Sequence, residues 1–266
     1  MDIDFGFTNK QIERYSRNII LSEVGGLGQK KLLESKVLII GAGGLGSPLL
    51  LYLTAAGVGN ITIIDDDFVE LSNLQRQIAH DSNKIGQKKA ESAVKLASAI
   101  NPEINIKPLT ERFNYSNALE LIETHDIVAD GSDNFETRFL AADTCYFMKK
   151  TLVSAAILRF EGQVSTWKGY NSQYPCYRCL FPDIPLPEST PTCSQAGIFG
   201  ALAGMIGTIQ AMEVIKEIIG IGSLTGQLLL IDSLYSETRK IKINIDKECK
   251  LCGKNPSILN LDHYAK

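Results

Sequence analysis

The sequence predicts an α/β protein with a doubly wound, mostly parallel sheet that antiparallel strands extend. Strand-like apolar runs alternate with helix-like segments through the first part of the chain, and such alternation is typical of parallel strands joined by crossover helices. After about residue 160 the β-like runs follow one another with fewer intervening helices. Two Cys-x-x-Cys pairs, Cys176 with Cys179 and Cys249 with Cys252, add a predicted structural zinc site to this fold.

The individual elements follow from apolar periodicity and from the turn residues between the runs. We expect helices at 11–20, 45–57, 87–99, 116–124 and 135–148, with strands at 36–41, 60–65, 104–109, 126–130, 152–156, 162–167, 227–231 and 240–245. A proline-rich loop is predicted from Tyr174 to Pro191. The apolar run from Ala196 to Met212 is predicted to be a buried helix rather than a membrane span, because it is short and charged residues follow it at once.

Composition narrows the class of protein. A chain of 266 residues can form one domain, and we expect a single domain over 1–266 that includes a helical segment, 1–35, and a cysteine-stapled segment, 174–252. The net charge of −3 gives no basic field for nucleic acid. No signal peptide or membrane span is indicated, so we expect the six cysteines to lie in a reducing cytoplasm.

A glycine-rich turn follows the first predicted strand. Gly41 permits a tight turn, Gly43 and Gly44 leave the backbone open to a phosphate, and Gly46 lets the next helix lie close to the strand. This is a Rossmann-like nucleotide-binding turn, and Asp65 at the end of the next strand could hold a ribose. Taken alone, the spacing favours NAD and a dehydrogenase.

Polar residues after the second strand favour a polyphosphate ligand. Asn73 and Arg76 lie beyond the carboxyl end of that strand, where open α/β sheets bind ligands, and Lys89 begins the next helix region. The alternative for each cation is an ordinary exposed surface charge. Their occurrence after a glycine-rich turn favours the phosphate site and ATP.

Asp133 follows the fourth predicted strand, opposite the glycine turn. A carboxylate in this position suits Mg²⁺ bound to phosphate oxygens. The alternative is that Asp133 caps the helix beginning near Phe135, a role for which Asp and Asn are favoured.

The cysteines divide into three groups. The two Cys-x-x-Cys pairs match tetrahedral zinc, with disulfides as the alternative that a reducing compartment disfavours. Cys145 has apolar neighbours and is predicted to lie in the core. Cys193 precedes the long apolar helix, where the helix dipole favours a thiolate. It is therefore either a reactive nucleophile or an inert residue at a helix start.

In this order, these motifs resemble the ThiF/MoeB/HesA family, the bacterial relatives of ubiquitin-activating E1 enzymes. The resemblance covers Arg14 to Cys252. It rests on Arg14-Tyr-Ser-Arg17, Gly-Ala-Gly-Gly-Leu-Gly, Leu71-Ser-Asn-Leu-Gln-Arg-Gln77, Gly86-Gln-Lys-Lys89, Ser132-Asp-Asn134, Cys176-Tyr-Arg-Cys-Leu180, Thr192-Cys193 and the final cysteine pair.

The resemblance implies a role for each matching residue. Gly44 would approach the phosphates of ATP, and Asp65 would hold the ribose. Asp133 and Asn134 would organise Mg²⁺ and the reacting phosphate. Arg17 would reach the site of the other subunit across a homodimer. The triphosphate would be lined by Ser72, Asn73, Leu74, Gln75, Arg76 and Lys89.

The resemblance also implies the reaction and its partners. The C-terminal glycine carboxylate of a small ubiquitin-like sulfur carrier would attack the α-phosphate of ATP, giving an acyl-adenylate, and sulfur would then displace AMP. MoaD, for molybdopterin, and ThiS, for thiazole, are equally compatible carriers. Because few residues follow Cys252, we expect a separate protein to donate the sulfur. The alternatives are an NAD-dependent dehydrogenase and a non-catalytic, zinc-stapled nucleotide-binding module.

Overall fold

The computed structural model describes residues 6–185 and 197–265. Within these residues the helices are α1 (Asn9–Ile19), α2 (Gly25–Glu34), α3 (Gly46–Ala56), α4 (Lys89–Ile100), α5 (Tyr115–Glu123), α6 (Phe135–Phe147) and α7 (Gly200–Ile219). The strands are β1 (Lys36–Ile40), β2 (Asn60–Ile64), β3 (Asn105–Leu109), β4 (Ile127–Asp130), β5 (Thr151–Leu158), β6 (Glu161–Trp167), β7 (Gln227–Asp232) and β8 (Glu237–Lys242).

The strands form one eight-stranded sheet with the order β3-β2-β1-β4-β5-β6-β7-β8. The five strands from β1 to β5 pair in parallel, and β6, β7 and β8 add to the β5 edge in antiparallel fashion. The predicted fold class is therefore confirmed. From β1 the chain adds β2 and then β3 on one side, and it then crosses to the other side of β1 to add β4 and β5. The strand order therefore reverses between β1 and β4. Open α/β sheets bind their ligands at such a reversal.

Helices cover both faces of the sheet, because the central strands are apolar on both sides. Alternate residues of a strand point to opposite faces, and β1 shows both: Val37 and Ile39 belong to one core cluster, while Leu38 and Ile40 belong to the other. The first cluster includes residues of α3, α4 and α7, and the second includes residues of α5 and α6. This burial on both faces explains the nearly continuous apolar run in β1.

The long apolar segment is the buried helix α7, which packs against α3 and β5. A side chain at Gly207 would lie 2.5 Å from the carbonyl oxygen of Leu45, so the helix needs glycine where it crosses the start of α3. The predicted end at Met212 is wrong, because Glu213 is buried within the helix and accepts the backbone N–H of Leu224 at 2.7 Å. In the part of the chain that the structure describes, no helix is long and apolar enough to cross a membrane.

Two further elements differ from the sequence prediction. Helix α2 was not predicted as a separate element, because its Gly-Gly-Leu-Gly start breaks the apolar periodicity. The last strand runs from Glu237 to Lys242, not from 240 to 245, since its pairing with β7 sets the register. All its residues are exposed, so it carried no amphipathic signal.

Candidate active site

A cavity of about 250 Å³ lies where β1, β2 and β4 end, at the reversal of strand order. Its walls come from the glycine turn after β1, the acidic segment after β2 and the segment that joins β4 to α6. Both backbone and charged side chains therefore reach one space, although they are far apart in the sequence. The predicted site residues that line it are Gly41, Gly43, Gly44, Asp65, Arg76, Lys89, Asp133 and Asn134.

The glycine turn has the geometry that its sequence predicts. Gly41 has a φ of +96°, a conformation that side chains disfavour. Gly46 lies behind the turn, where a Cβ atom would come within 1.9 Å of the Gly41 carbonyl oxygen. Because α3 begins at Gly46, the positive end of its dipole is directed toward the cavity.

Asp65 joins the end of β2 to the glycine turn. Its Oδ2 accepts the backbone N–H of Ala42 at 2.7 Å, and its Oδ1 accepts that of Asp67 at 2.9 Å. Burial raises the pKa of the Asp65 carboxyl above its ordinary value, while these two N–H donors oppose the shift. The carboxylate therefore stabilises the turn as well as lining the cavity.

Arg76 and Lys89, the two cations predicted from the sequence, both line the cavity. The Nη1 of Arg76 donates to the carbonyl oxygen of Ser72 at 3.0 Å, which fixes the side chain over its own turn. The Nζ of Lys89 donates to Asp67 Oδ2 at 2.8 Å, and the lysine side chain is 8% exposed. A buried ammonium beside a glycine turn offers a strong charge-assisted hydrogen bond to an anion.

The segment before Arg76 forms a short 3₁₀ turn, Leu71–Asn73, that lies outside this cavity. Asn73 is buried, and its Oδ1 accepts the backbone N–H of Glu70 at 3.2 Å. Gln75 donates to the carbonyl oxygen of Ile198 at 3.4 Å. The structure thus does not bring Ser72, Asn73, Leu74 or Gln75 to the cavity within one chain.

Asp133 and Asn134 follow β4 and have different environments. Asn134 is the cap of α6, since its Oδ1 accepts the backbone N–H of Thr137 at 2.9 Å. Asp133 is exposed and lines the cavity, and within residues 6–185 and 197–265 its carboxylate makes no hydrogen bond or ion pair. The cap alternative for Asp133 is therefore wrong, and its oxygens are available to a cation.

Gln77, Arg112 and Arg138 are among the other residues that line the cavity, and sequence reasoning assigned them no role. Arg138 donates to the carbonyl oxygen of Ser132 at 2.6 Å. Gln77 is 4% exposed, and its Oε1 has no partner among the described residues. The same rule that selected Arg76 would have found Arg112, because it follows the carboxyl end of β3.

Two predicted catalytic residues remain, Arg17 and Cys193. Arg17 is exposed on α1 and does not line the cavity. Cys193 lies outside the described residues, and its two alternatives remain predictions. Cys145 is buried as predicted, and burial raises the pKa of its thiol.

The other four cysteines converge at one point. The sulfur atoms of Cys176, Cys179, Cys249 and Cys252 all lie within 4.8 Å of one another. Each of these cysteines is free, and the Cys176 and Cys249 sulfurs are 3.5 Å apart, so disulfides are not formed. Four sulfurs around a tetrahedral zinc ion at about 2.3 Å would be separated by similar distances. The set can hold a metal ion.

Two backbone N–H groups stabilise negative charge on the cluster, whereas the sulfurs oppose one another's ionisation. The backbone N–H of Asp246 donates to Cys179 Sγ at 3.4 Å, and that of Leu251 donates to Cys249 Sγ at 3.5 Å. The neighbouring sulfur of Cys179 raises the pKa of the Cys176 thiol. Four thiolates therefore need a cation in order to coexist.

Known proteins are similar to this sequence over nearly its whole length. The chain is 46% identical to the adenylyltransferase and sulfurtransferase MOCS3 of Aedes aegypti over 97% of its residues, and it spans 59% of the length of that relative. It is 43% identical to the SAMP-activating enzyme E1 of Haloferax volcanii, covering 95% of this chain and 94% of the relative. It is 41% identical to the sulfur carrier protein adenylyltransferase of Thermus thermophilus, covering 97% of both.

The fold is also found among solved structures. The structure of Escherichia coli MccB with ATP aligns with a TM-score of 0.79 at 22% identity, covering 90% of this chain and 73% of that one. At this identity the likeness is one of fold. The ThiF family model matches residues 15–252, which include the glycine turn, the cations, Asp133 and the cysteine cluster. The chain therefore belongs to the ThiF family.

Proposed function

We propose that this protein adenylylates the C-terminal glycine carboxylate of a small ubiquitin-like sulfur carrier protein, using ATP. The observation that carries the proposal is that the glycine turn, the cations Arg76 and Lys89, and the Asp133 carboxylate all line one cavity. Within the described residues, that carboxylate makes no hydrogen bond or ion pair. A triphosphate needs backbone N–H groups and cations, and its metal ion needs oxygen ligands. The names of the full-length relatives, a SAMP-activating enzyme and a sulfur carrier protein adenylyltransferase, support the same reaction.

The carboxylate of the carrier must be activated before a sulfur nucleophile can attack it. A carboxylate does not react with a sulfur nucleophile, because its leaving group would be oxide. In the proposed reaction a carboxylate oxygen attacks the α-phosphorus of ATP, the bond to the β-phosphate oxygen breaks, and pyrophosphate leaves with the electron pair. The acyl-adenylate that forms has AMP as a good leaving group.

The residues of the cavity would supply position and charge. Arg76 and Lys89 would hold the phosphates in line and stabilise the charge that moves onto pyrophosphate. The Asp65 carboxylate would accept a hydrogen bond from a ribose hydroxyl while it also stabilises the turn. Asp133 would hold Mg²⁺, which would supply further neutralisation of the phosphate oxygens, and Asn134 would help to position Asp133 by capping α6. The sites of Ser72 to Gln75 lie outside the cavity, so direct phosphate contact by that segment requires a rearrangement or a second chain.

We propose zinc for the four-cysteine cluster, with a structural role. The cluster joins the 3₁₀ turn Tyr177–Cys179 to the C-terminal segment that holds Cys249 and Cys252. Four thiolates leave zinc no open position for water. This ion would therefore act on stability and not on the transferred phosphate. Reduced cysteines of this kind suit a cytoplasmic protein.

We also propose a homodimer and a separate sulfur donor. Arg17 does not line the cavity of its own chain. In a homodimer it would complete the cavity of the partner subunit. A separate donor is supported by the cysteines in residues 6–185 and 197–265, because Cys145 is buried and the other four form the cluster. None of these five is placed to carry sulfur to an adenylate.

An NAD-dependent dehydrogenase and a non-catalytic nucleotide-binding module are weaker proposals. Both account for the glycine turn, but neither accounts for Asp133 and the two cations on the other walls of the cavity. Equilibrium binding of MgATP and NAD⁺ separates ATP chemistry from dehydrogenase chemistry.

Pyrophosphate exchange tests the proposed function directly. The purified protein is mixed with MgATP, labelled pyrophosphate and either a MoaD-type or a ThiS-type carrier, and the return of label to ATP is measured. We expect exchange that depends on the carrier and is lost when its C-terminal glycine is removed. Binding of ATP without exchange with any ubiquitin-like carrier would refute the proposal. The carrier that supports the faster exchange identifies the pathway.

A further inference from the structure

The peptide units around Ala42, inside the glycine turn, are held from both sides. The N–H of Ala42 donates to Asp65 Oδ2 at 2.7 Å. Its carbonyl oxygen is 3.1 Å from His80 Nε2. His80 comes from the segment that follows Arg76, and its ring is buried with the residue 7% exposed. A residue without an assigned function thus contacts the phosphate-binding backbone.

The hydrogen bonds of His80 define its protonation. A carbonyl oxygen only accepts, so Nε2 carries the hydrogen that it donates to Ala42. Nδ1 lies 2.9 Å from Ser92 Oγ, which can donate its hydroxyl hydrogen to the lone pair of that nitrogen. Burial, together with the nearby cations Lys84 and Lys89, lowers the pKa of His80. The imidazole is therefore neutral, with both nitrogens paired.

This arrangement determines which way the next N–H points. In a trans peptide unit the carbonyl and the following N–H lie on opposite sides of the chain, and no described peptide bond is cis. The Ala42 carbonyl points to His80, so the Gly43 N–H points away from His80. Gly43 lines the cavity, and its N–H has no acceptor among residues 6–185 and 197–265. The free donor thus belongs to a residue that lines the cavity and is available to an anion there.

We infer that His80 is a positioning residue for the phosphates of ATP: held by Ser92, it fixes the Ala42 carbonyl and thereby aims the Gly43 N–H at the ligand. Asp65 fixes the preceding peptide unit in the same way. The inference rests on the proposed function, because it requires a phosphate ligand in the cavity. His80 itself touches neither substrate nor reacting atoms.

Two substitutions separate positioning from simple core packing. The side-chain amide of glutamine can place its nitrogen near the position of Nε2, so His80→Gln keeps a donor to the Ala42 carbonyl. The shorter asparagine places its amide near Nδ1, so His80→Asn keeps a partner for Ser92 and loses the donor to Ala42. Both variants bury a neutral polar side chain in place of the imidazole.

The experiment measures the equilibrium dissociation constants of MgATP and of adenosine, without carrier, for the wild type and both variants. We expect His80→Asn to bind MgATP about fivefold more weakly, the scale of one lost hydrogen bond. His80→Gln should stay within about twofold of the wild type. Adenosine has no phosphate, so its dissociation constant should change equally little in both.

The outcomes distinguish the two proposals. Equal MgATP affinities of the two variants, or equal losses for adenosine and MgATP, would overturn the role of His80. No MgATP binding by the wild type would instead overturn the proposed function. Ser92→Ala provides an independent test should His80→Asn fail to fold, because it frees the ring while leaving Ala42 unchanged. It too should weaken MgATP binding more than adenosine binding.

Discussion

Asn134 caps α6 by accepting the backbone N–H of Thr137 at 2.9 Å, and this contact releases its neighbour Asp133 from the capping role. The two residues are adjacent in sequence and both line the cavity. They nevertheless do different work. Asn134 contributes to the start of the helix, and Asp133 presents a carboxylate to the cavity.

This difference predicts opposite phenotypes for two neighbouring alanine substitutions. Asp133→Ala should lower pyrophosphate exchange by about a hundredfold or more, the scale for one preorganised charge-stabilising group, with the free energy of unfolding changed by less than about 0.5 kcal/mol. Asn134→Ala should lower the free energy of unfolding by about 1 kcal/mol, as expected for a lost cap. Exchange kinetics and denaturant unfolding measure the two effects. Unchanged exchange in Asp133→Ala would contradict its assignment.

Zinc should be bound in a ratio of about one ion per chain. The double variant Cys249→Ser with Cys252→Ser removes half of the ligands and should lose the metal and unfold at a lower temperature. Cys145→Ala is the matched control, since it removes a buried thiol outside the cluster. Metal analysis by mass spectrometry and thermal unfolding under reducing conditions test this prediction. Full zinc content in the double variant would exclude the cluster as the site.

Arg17 should act across the dimer. Arg17→Ala and Asp133→Ala should each be inactive alone, but a mixed dimer would contain one site with neither lesion. After random reassortment of equal amounts, about a quarter of all sites should be intact, because half of the dimers are mixed. Exchange activity of the mixture, with subunit exchange verified by mass spectrometry, measures the recovery. Verified mixing without recovery would place Arg17 in its own subunit's site or in none.

Buried histidines should make the protein less stable in mild acid. His125 lies between Leu121 and Thr62, with its Nδ1 2.6 Å from the Leu121 carbonyl and its Nε2 2.8 Å from the Thr62 hydroxyl. Burial lowers its pKa from 6.5. The unfolded chain therefore binds a proton first as pH falls below about 6.5, so the free energy of unfolding falls with pH by at most about 1.4 kcal/mol per pH unit for this group.

Replacing His125 with asparagine tests whether this histidine causes the pH dependence of the free energy of unfolding. His125→Asn keeps a donor near Leu121 but does not titrate, so its free energy of unfolding should depend less steeply on pH between about 5 and 7 than that of the wild type. Denaturant unfolding at each pH measures both slopes. Identical slopes would show that His125 does not contribute to the acid dependence.

Adenylation should not need Cys193. Cys193→Ser is expected to leave pyrophosphate exchange nearly intact, because attack by a carboxylate oxygen needs no thiol. Formation of the carrier thiocarboxylate with a protein sulfur donor would then report any role as a nucleophile. Free sulfide should be omitted, since it could bypass the cysteine. Loss of exchange in a folded, zinc-loaded variant would instead assign Cys193 to the ATP step.

Local patterns were sufficient for the elements that carry a strong signal. The apolar run of β1 and the glycines after it defined a nucleotide-binding turn, because backbone conformation and close approach restrict those positions to glycine. The cysteine spacing predicted a four-sulfur cluster for a similar reason: few other arrangements use two such pairs. Where the signal was weak, the predicted bounds were wrong. The residues of β8 are all exposed, and its register depends on β7.

The charged residues of the cavity were only partly accessible from sequence. Arg76 and Lys89 lie in recognisable motifs, and Arg112 could have been found by the rule that selected Arg76, because it follows β3. Arg138 was identified only once the structure placed the start of α6 at the cavity. A long cation shows no periodicity that separates a ligand contact from a surface charge.

The sequence by itself determined the strand–turn–helix unit, the parallel sheet and the paired cysteines, since each depends on residues that are neighbours in the chain or on a fixed spacing. Only the tertiary structure decided that Asn134 rather than Asp133 caps α6, and that His80 holds the Ala42 carbonyl. Both outcomes depend on which of several competent donors and acceptors comes within hydrogen-bonding distance. That distance is set by packing between elements far apart in the chain, and composition and spacing do not record it.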